Sequence, residues 1–111
     1  MEVIPERSEI WWVAVDPALG PEIRKTRPCV VVSVKVLNER RRTVIIVPLS
    51  SSPKASPPIL IPITCDGRPA VAVSDQIRAV AKERLRSRLG VVARGELAAL
   101  KDGLRQIMQL G

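Results

Sequence analysis

Pro28-Cys29-Val30-Val31-Val32-Ser33-Val34 and Thr43-Val44-Ile45-Ile46-Val47-Pro48-Leu49 are two apolar, largely β-branched runs parted by the polar turn Asn38-Glu39-Arg40-Arg41-Arg42. Branching at Cβ restricts the first side-chain torsion and favours pleated backbone. A short, unbroken apolar run is the pattern of a strand covered on both faces. Upstream, Glu9-Ile10-Trp11-Trp12-Val13-Ala14-Val15 is a third such strand, stopped by Asp16-Pro17. Residues 16–27, with two prolines, one glycine and mixed charges, form a loop of the length that carries function.

Downstream, Ser50-Ser51-Ser52-Pro53-Lys54-Ala55-Ser56-Pro57 is a polar loop. A fourth strand near Ile59–Ile63 is flanked and interrupted by Pro58 and Pro62, which places it at a sheet edge. Ala70–Ala79 reads as a fifth strand, Ala81–Leu85 as a single helical turn, and Leu89-Gly90-Val91-Val92 as a short sixth strand. From Glu96 the period changes: Leu97, Leu100, Leu104 and Ile107 recur every three or four residues, opposite Lys101, Asp102, Arg105 and Gln106. That is an amphipathic C-terminal helix with one face on the sheet. Ala93 stands where a capping Ser or Asp would be worth about 1 kcal/mol. Gly103 in mid-helix costs a similar amount, about 1 kcal/mol. The predicted class is mainly β, a small curled sheet plus one helix.

The chain has 111 residues, 18 Lys+Arg against 11 Asp+Glu for a net charge of +7, and no His, Tyr or Phe. Its length predicts one domain, residues 1–111. Without histidine there is no Ser-His-Asp triad and no histidine-held zinc. Cys29 and Cys65 are too few for a four-thiolate site and are expected as buried free thiols of a reducing cytosol. The near absence of aromatics rules out an RRM-type stacking sheet. Lacking a leader pattern or a long apolar run, the chain is expected in the cytoplasm, with no membrane partner and no cofactor. The positive surplus, mostly arginine, attracts polyanions before any specific contact forms.

Several motifs now stand in a telling order: residues 9–17, Gly20 with Glu22, Arg27-Pro28 before the valine strand, residues 43–50, Ser74-Asp75-Gln76-Ile77-Arg78-Ala79-Val80, then Lys82, Arg84-Leu85, Leu89-Gly90 and Glu96-Leu97. Together they resemble the MazF/PemK toxins, over residues 8–110 or so. The resemblance implies an SH3-like barrel of five to seven short strands with a C-terminal helix. It also implies a homodimer, a small acidic antitoxin as partner, and metal-independent, sequence-specific cleavage of single-stranded RNA. In that chemistry the ribose 2′-hydroxyl attacks the adjacent phosphate, leaving a 2′,3′-cyclic phosphate and a 5′-hydroxyl.

By the same resemblance Arg27 and Ser50 are the catalytic pair. A guanidinium donates two parallel hydrogen bonds to phosphoryl oxygens. Ser50 stands where the family usually carries threonine, keeping the hydroxyl without the methyl that fixes its rotamer. The implied RNA-binding set is Glu22, Lys25, Ser51, Asp75, Gln76 and Arg78, with Gln76 suited to a base edge. Arginine is a poor base, so Glu22, Asp75 or water must take the proton. The PemK branch uses an arginine two positions before Asp75, and here that residue is Val73. Further departures are Gly20-Pro21-Glu22-Ile23 in the loop and Val34-Lys35 after Ser33, which remove two polar side chains of the family pattern.

The alternative is a weak or inactive relative acting as a binding module or gyrase poison. The non-aromatic end Gln109-Leu110-Gly111 speaks against the poison. A DNA-binding regulator is disfavoured because the one convincing helix lacks a basic face. Arg40-Arg41-Arg42 reads as a phosphate clamp or, more blandly, as a solvated turn.

Overall fold

The computed structural model of the protein describes residues 3–15, 26–51 and 53–111. Seven strands and two helices follow in the order β1 (Glu9–Ala14), β2 (Thr26–Val31), α1 (Lys35–Arg40), β3 (Thr43–Ser50), β4 (Leu60–Cys65), β5 (Arg68–Val73), β6 (Arg78–Ala81), β7 (Leu85–Val91) and α2 (Arg94–Met108). The sheet path is β4-β5-β3-β2-β1-β7, antiparallel throughout, with β6 also paired to β3. It forms a curled half-barrel with a C-terminal helix, as the sequence predicts.

β3 organises the curl. One edge pairs with β2 from Cys29↔Pro48 to Val31↔Ile46. The other edge changes partner along its length: Thr43–Ile46 pair with β6, and Leu49–Ser50 pair with β5. Pro48 falls in the interval between these two pairings, where a residue without an N–H breaks no ladder bond on that edge.

Alternation along the strands fills two cores. Trp11, Val13, Cys29, Val31, Val44, Ile46 and Val80 are enclosed by the curl. Ile10, Val30, Val47 and Leu49 point the opposite way, onto Ile61, Ile63 and Ala72 of the β4–β5 hairpin and Leu100 and Leu104 of α2. Each of these larger side chains contributes roughly 1.5–3 kcal/mol by leaving water. Both faces of β2 and β3 are thus covered, which is why their sequences do not alternate. Glu96 fastens the first turn of α2 to β4: Thr64 donates its backbone N–H and its hydroxyl to the Glu96 carboxylate, both at 2.9 Å.

The structure corrects several sequence expectations. Part of the turn predicted at 38–42 belongs to helix α1, because Asn38 is fully buried and holds its neighbours. Its Nδ2 donates to the carbonyls of Pro5 and Ser33, each at 3.0 Å, and its Oδ1 accepts from the Ser33 hydroxyl. That hydroxyl also accepts the Ile45 N–H at 3.0 Å. The strand predicted over 70–79 is two strands, broken by a 3₁₀ turn at Ser74–Gln76. Ser and Asp favour local turns over ladders, and the break lets the chain step from one half of β3 to the other. The predicted helical turn is 3₁₀ at Lys82–Arg84, β7 begins at Leu85, and α2 begins at Arg94. Cys29 is buried as expected, whereas Cys65 is only half-buried.

Candidate active site

Arg27 sits near the start of β2, opposite Val13 of β1, with its side chain exposed. Ser50 ends β3, half-buried. The two line one cleft of about 640 Å³, together with Trp12, Leu49, Ser51, Asp66, Arg68 and Leu89. Their convergence follows from register. Cys29 pairs with Pro48, so two further residues along each antiparallel strand lead back to Arg27 and on to Ser50. The far wall is the tip of the β4–β5 hairpin, where Asp66 (φ 52°) and Gly67 (φ 75°) adopt the left-handed conformations of a tight turn.

A second cleft of about 370 Å³ opens where β3 changes partner. It is lined by Val15, Arg27, Pro48, Gln76 and Arg78, so Arg27 stands on the ridge between the two clefts. Arg78 is fixed by donating Nη1–H to the Val15 carbonyl at 2.9 Å, and Arg84 donates in the same way to Ala14 at 3.0 Å. Beneath this ridge, burial pushes the Cys29 thiol up to about 12, while the Arg27 and Arg78 guanidiniums pull in the opposite direction. The thiol stays neutral and unreactive. The two guanidiniums thus flank one strand end and give both clefts a positive rim.

The structure therefore brings together Arg27, Ser50 and Ser51 in one cleft and Arg27, Gln76 and Arg78 in the other. Asp75 is exposed on the 3₁₀ turn, not in the predicted fifth strand, and it lines neither cleft. Glu22 and Lys25, like Gly20 and Ile23, lie outside the described residues.

Sequence reasoning did not include Asp66, Arg68, Leu89 or Trp12 in the site. The signal was present for two of them. Asp66-Gly67 between two apolar runs is a hairpin-turn signature, so residues 66–68 had to form a tip. Trp12 faces the cleft because Trp11, its neighbour, takes the core side and donates its Nε1–H to Glu9 at 3.0 Å. Arg88 pairs with the same carboxylate at 3.1 Å, bracing β1 on β7.

Among the described residues no three Cys, Asp or Glu side chains gather to hold a metal ion, and no helix is long and apolar enough to cross a membrane.

Residues 6–108 match the family model for PemK-like, MazF-like toxins of type II toxin–antitoxin systems. The chain is 36% identical to endoribonuclease MazF9 of Mycobacterium tuberculosis, covering 94% of this chain and 96% of that protein. It is 30% identical to the endoribonuclease toxin MazF of Escherichia coli K12, over 88% of each. A MazE–MazF structure from Deinococcus radiodurans superposes with a TM-score of 0.86 at 20% identity, covering 99% of this chain and 100% of that one. A mycobacterial endoribonuclease solved with its cognate antitoxin superposes at 0.79 with 19% identity, covering 96% and 97%. The last two share the fold.

Proposed function

The chain belongs to the PemK-like, MazF-like toxin family of type II toxin–antitoxin systems, and on that premise we propose that it is a sequence-specific endoribonuclease that cuts single-stranded RNA without a metal. The observation that carries this reading is one cleft holding an exposed guanidinium, a hydroxyl and a carboxylate, Arg27, Ser50 and Asp66.

The reaction forms a bond from the ribose 2′-oxygen to phosphorus and breaks the bond from phosphorus to the 5′-oxygen. One proton leaves the 2′-hydroxyl and one is supplied to the departing oxygen. Arg27 binds the non-bridging oxygens and opposes the charge that grows on them. Ser50 donates to the phosphate and fixes it in line with the attacking oxygen. Asp66 takes the acid–base role otherwise open to Glu22, Asp75 or water, since it is the carboxylate among the described cleft residues. Arg68 adds a second cation beside it. Trp12 offers a flat apolar face for a base. In the second cleft Gln76 reads a base edge and Arg78 meets a phosphate; Ser51, Glu22, Lys25 and Asp75 complete the RNA-binding set.

One domain, residues 1–111, carries the activity, and the protein works as a homodimer in the cytoplasm. Its partner is a small acidic antitoxin that occupies the positive rim and folds on binding. A solved relative in complex with its cognate antitoxin supports an antitoxin as the partner.

The test is incubation of the purified protein with a long single-stranded RNA in EDTA, followed by end mapping. Cuts at a fixed short sequence, with 2′,3′-cyclic phosphate and 5′-hydroxyl ends, are the expected result. Intact RNA at enzyme excess would overturn the nuclease reading and leave a binding module.

A further inference from the structure

The basic turn Arg40-Arg41-Arg42 lies at the end of β3 remote from the candidate active site. From Thr43 to Ser50 the strand takes seven steps of about 3.3 Å, roughly 23 Å. β6 runs antiparallel beside β3, with Arg78 opposite Ile46 and Ala81 opposite Thr43. The pairing continues one step further, where the Lys82 N–H donates to the Arg42 carbonyl at 2.8 Å. Arg42 and Lys82 are therefore held face to face.

Hollows open at both ends of the β3–β6 pairing. The main cleft and the Gln76–Arg78 cleft share Arg27. A third hollow of about 310 Å³ is lined by Arg42, Ala81, Lys82 and Glu83, and a fourth, also about 310 Å³, by Arg40, Arg41, Arg42 and Thr43. The last two share Arg42.

The cations at the far end are not consumed by internal pairing. Glu39, the nearest acid in sequence, pairs with Lys35 at 3.7 Å. Among the described residues Arg40, Arg41, Arg42 and Lys82 make no ion pair. Glu83 is the single acid in these two hollows, against four cations.

We propose that Arg40, Arg41, Arg42 and Lys82 form a phosphate-binding patch at the far end of β3 that holds RNA nucleotides beyond the cleavage site. A guanidinium cluster suits phosphate oxygens, and such contacts position a strand without reading its sequence. Small barrels that bind single strands hold roughly 4–16 nucleotides, enough for a bound strand to reach past the cleft. This inference rests on the RNA-cleaving reading for its ligand, and it assigns to the fold a length dependence that the cleft alone does not have.

The experiment compares two fluorescent RNAs carrying the same mapped cleavage sequence, one confined to it and one extended on both sides. Each has a 2′-deoxyribose at the cleaved position so that binding is read without cutting. The intact protein should bind the extended RNA more tightly. The triple variant R40A/R41A/R42A, and separately Lys82→Ala, should lose that advantage, about tenfold for the triple variant, while binding the short RNA as before. The slope of log affinity against log salt should shrink by about 2 for the triple variant, at about 0.7 per phosphate contact. The double variant K101A/R105A on α2, which removes charge elsewhere, should lose far less.

An equal loss on both RNAs, or an equal loss in the α2 variant, would overturn the patch and leave only a net-charge effect. A loss confined to a poly-glutamate peptide titrated in parallel would assign the patch to an acidic protein partner instead. If the unmodified RNA is never cut, the nuclease reading fails, and the same titrations with a short and an extended RNA of arbitrary shared sequence then decide the patch.

Discussion

A methyl group on Gly103 would stand 2.8 Å from the carbonyl oxygen of Pro58 and 3.0 Å from the Ile61 side chain. The glycine in mid-helix is therefore the point where α2 closes onto the segment leading into β4. Gly103→Ala should destabilise the fold by about 1–3 kcal/mol, although helix propensity alone favours alanine by about 1 kcal/mol. Urea unfolding decides the sign. A stabilised variant would show that the contact relaxes at no cost.

Arg27→Ala should lower cleavage by about 10²–10³-fold, the usual loss when one donor to transition-state charge is removed. The side chain is exposed, so the circular dichroism spectrum and the unfolding midpoint should not move. Arg27→Lys should recover only part of the rate, because an ammonium keeps the charge and loses the fork. Single-turnover cutting of the mapped RNA measures both.

Ser50→Ala should lose roughly 10- to 100-fold, the worth of a hydrogen bond to a charged group. Ser50→Thr should match or exceed the natural protein, since the added methyl narrows the rotamers of the same hydroxyl. Undiminished cutting by the alanine variant would remove Ser50 from the catalytic pair.

Asp66→Asn retains the size of the side chain and its place on the hairpin tip. Loss of a proton-transferring carboxylate should lower kcat by about 10²-fold or more, with binding of the 2′-deoxy RNA unchanged. Asp75→Asn, outside both clefts, should leave kcat nearly intact. The reverse pattern would return the acid–base role to the 3₁₀ turn.

Cys29 gives a pH prediction. Its folded-state value near 12 lies above the ordinary thiol value of 9.0, with burial as the main cause. Below about pH 9 the thiol is neutral in both folded and unfolded chains, and its contribution to stability is full. As pH climbs from about 9 toward 12 only the unfolded chain ionises, so that stability is progressively lost. Urea midpoints at rising alkaline pH should fall, and Cys29→Ala should remove part of the slope. A small thiol reagent on the native protein should modify half-buried Cys65, which lines the cleft, before Cys29.

Much of the fold was readable in order along the chain. The runs at 9–15, 28–34 and 43–49 became β1, β2 and β3, and the 3.6-residue period of Leu97, Leu100, Leu104 and Ile107 became α2. Those signals are local: branching, alternation and amphipathic spacing act within a few residues. The break at Ser74–Gln76 was not readable, because it depends on two strands sharing one edge of β3. Nor was α1, whose hold on the fold is Asn38 reaching the carbonyl of Pro5, 33 residues away.

The sequence by itself determined the covalent means of the chemistry: excess guanidinium, hydroxyls, carboxylates and no imidazole. It also marked Arg27, Ser50 and Gln76 through the motifs around them. Which of these meet was decided only by the tertiary structure. Antiparallel register carries Arg27 and Ser50 into one cleft, the Asp66-Gly67 turn brings in a carboxylate that the linear reading passed over, and Asp75 is left outside. Proximity across strands is set by pairing and twist, and a linear pattern encodes neither until the sheet closes.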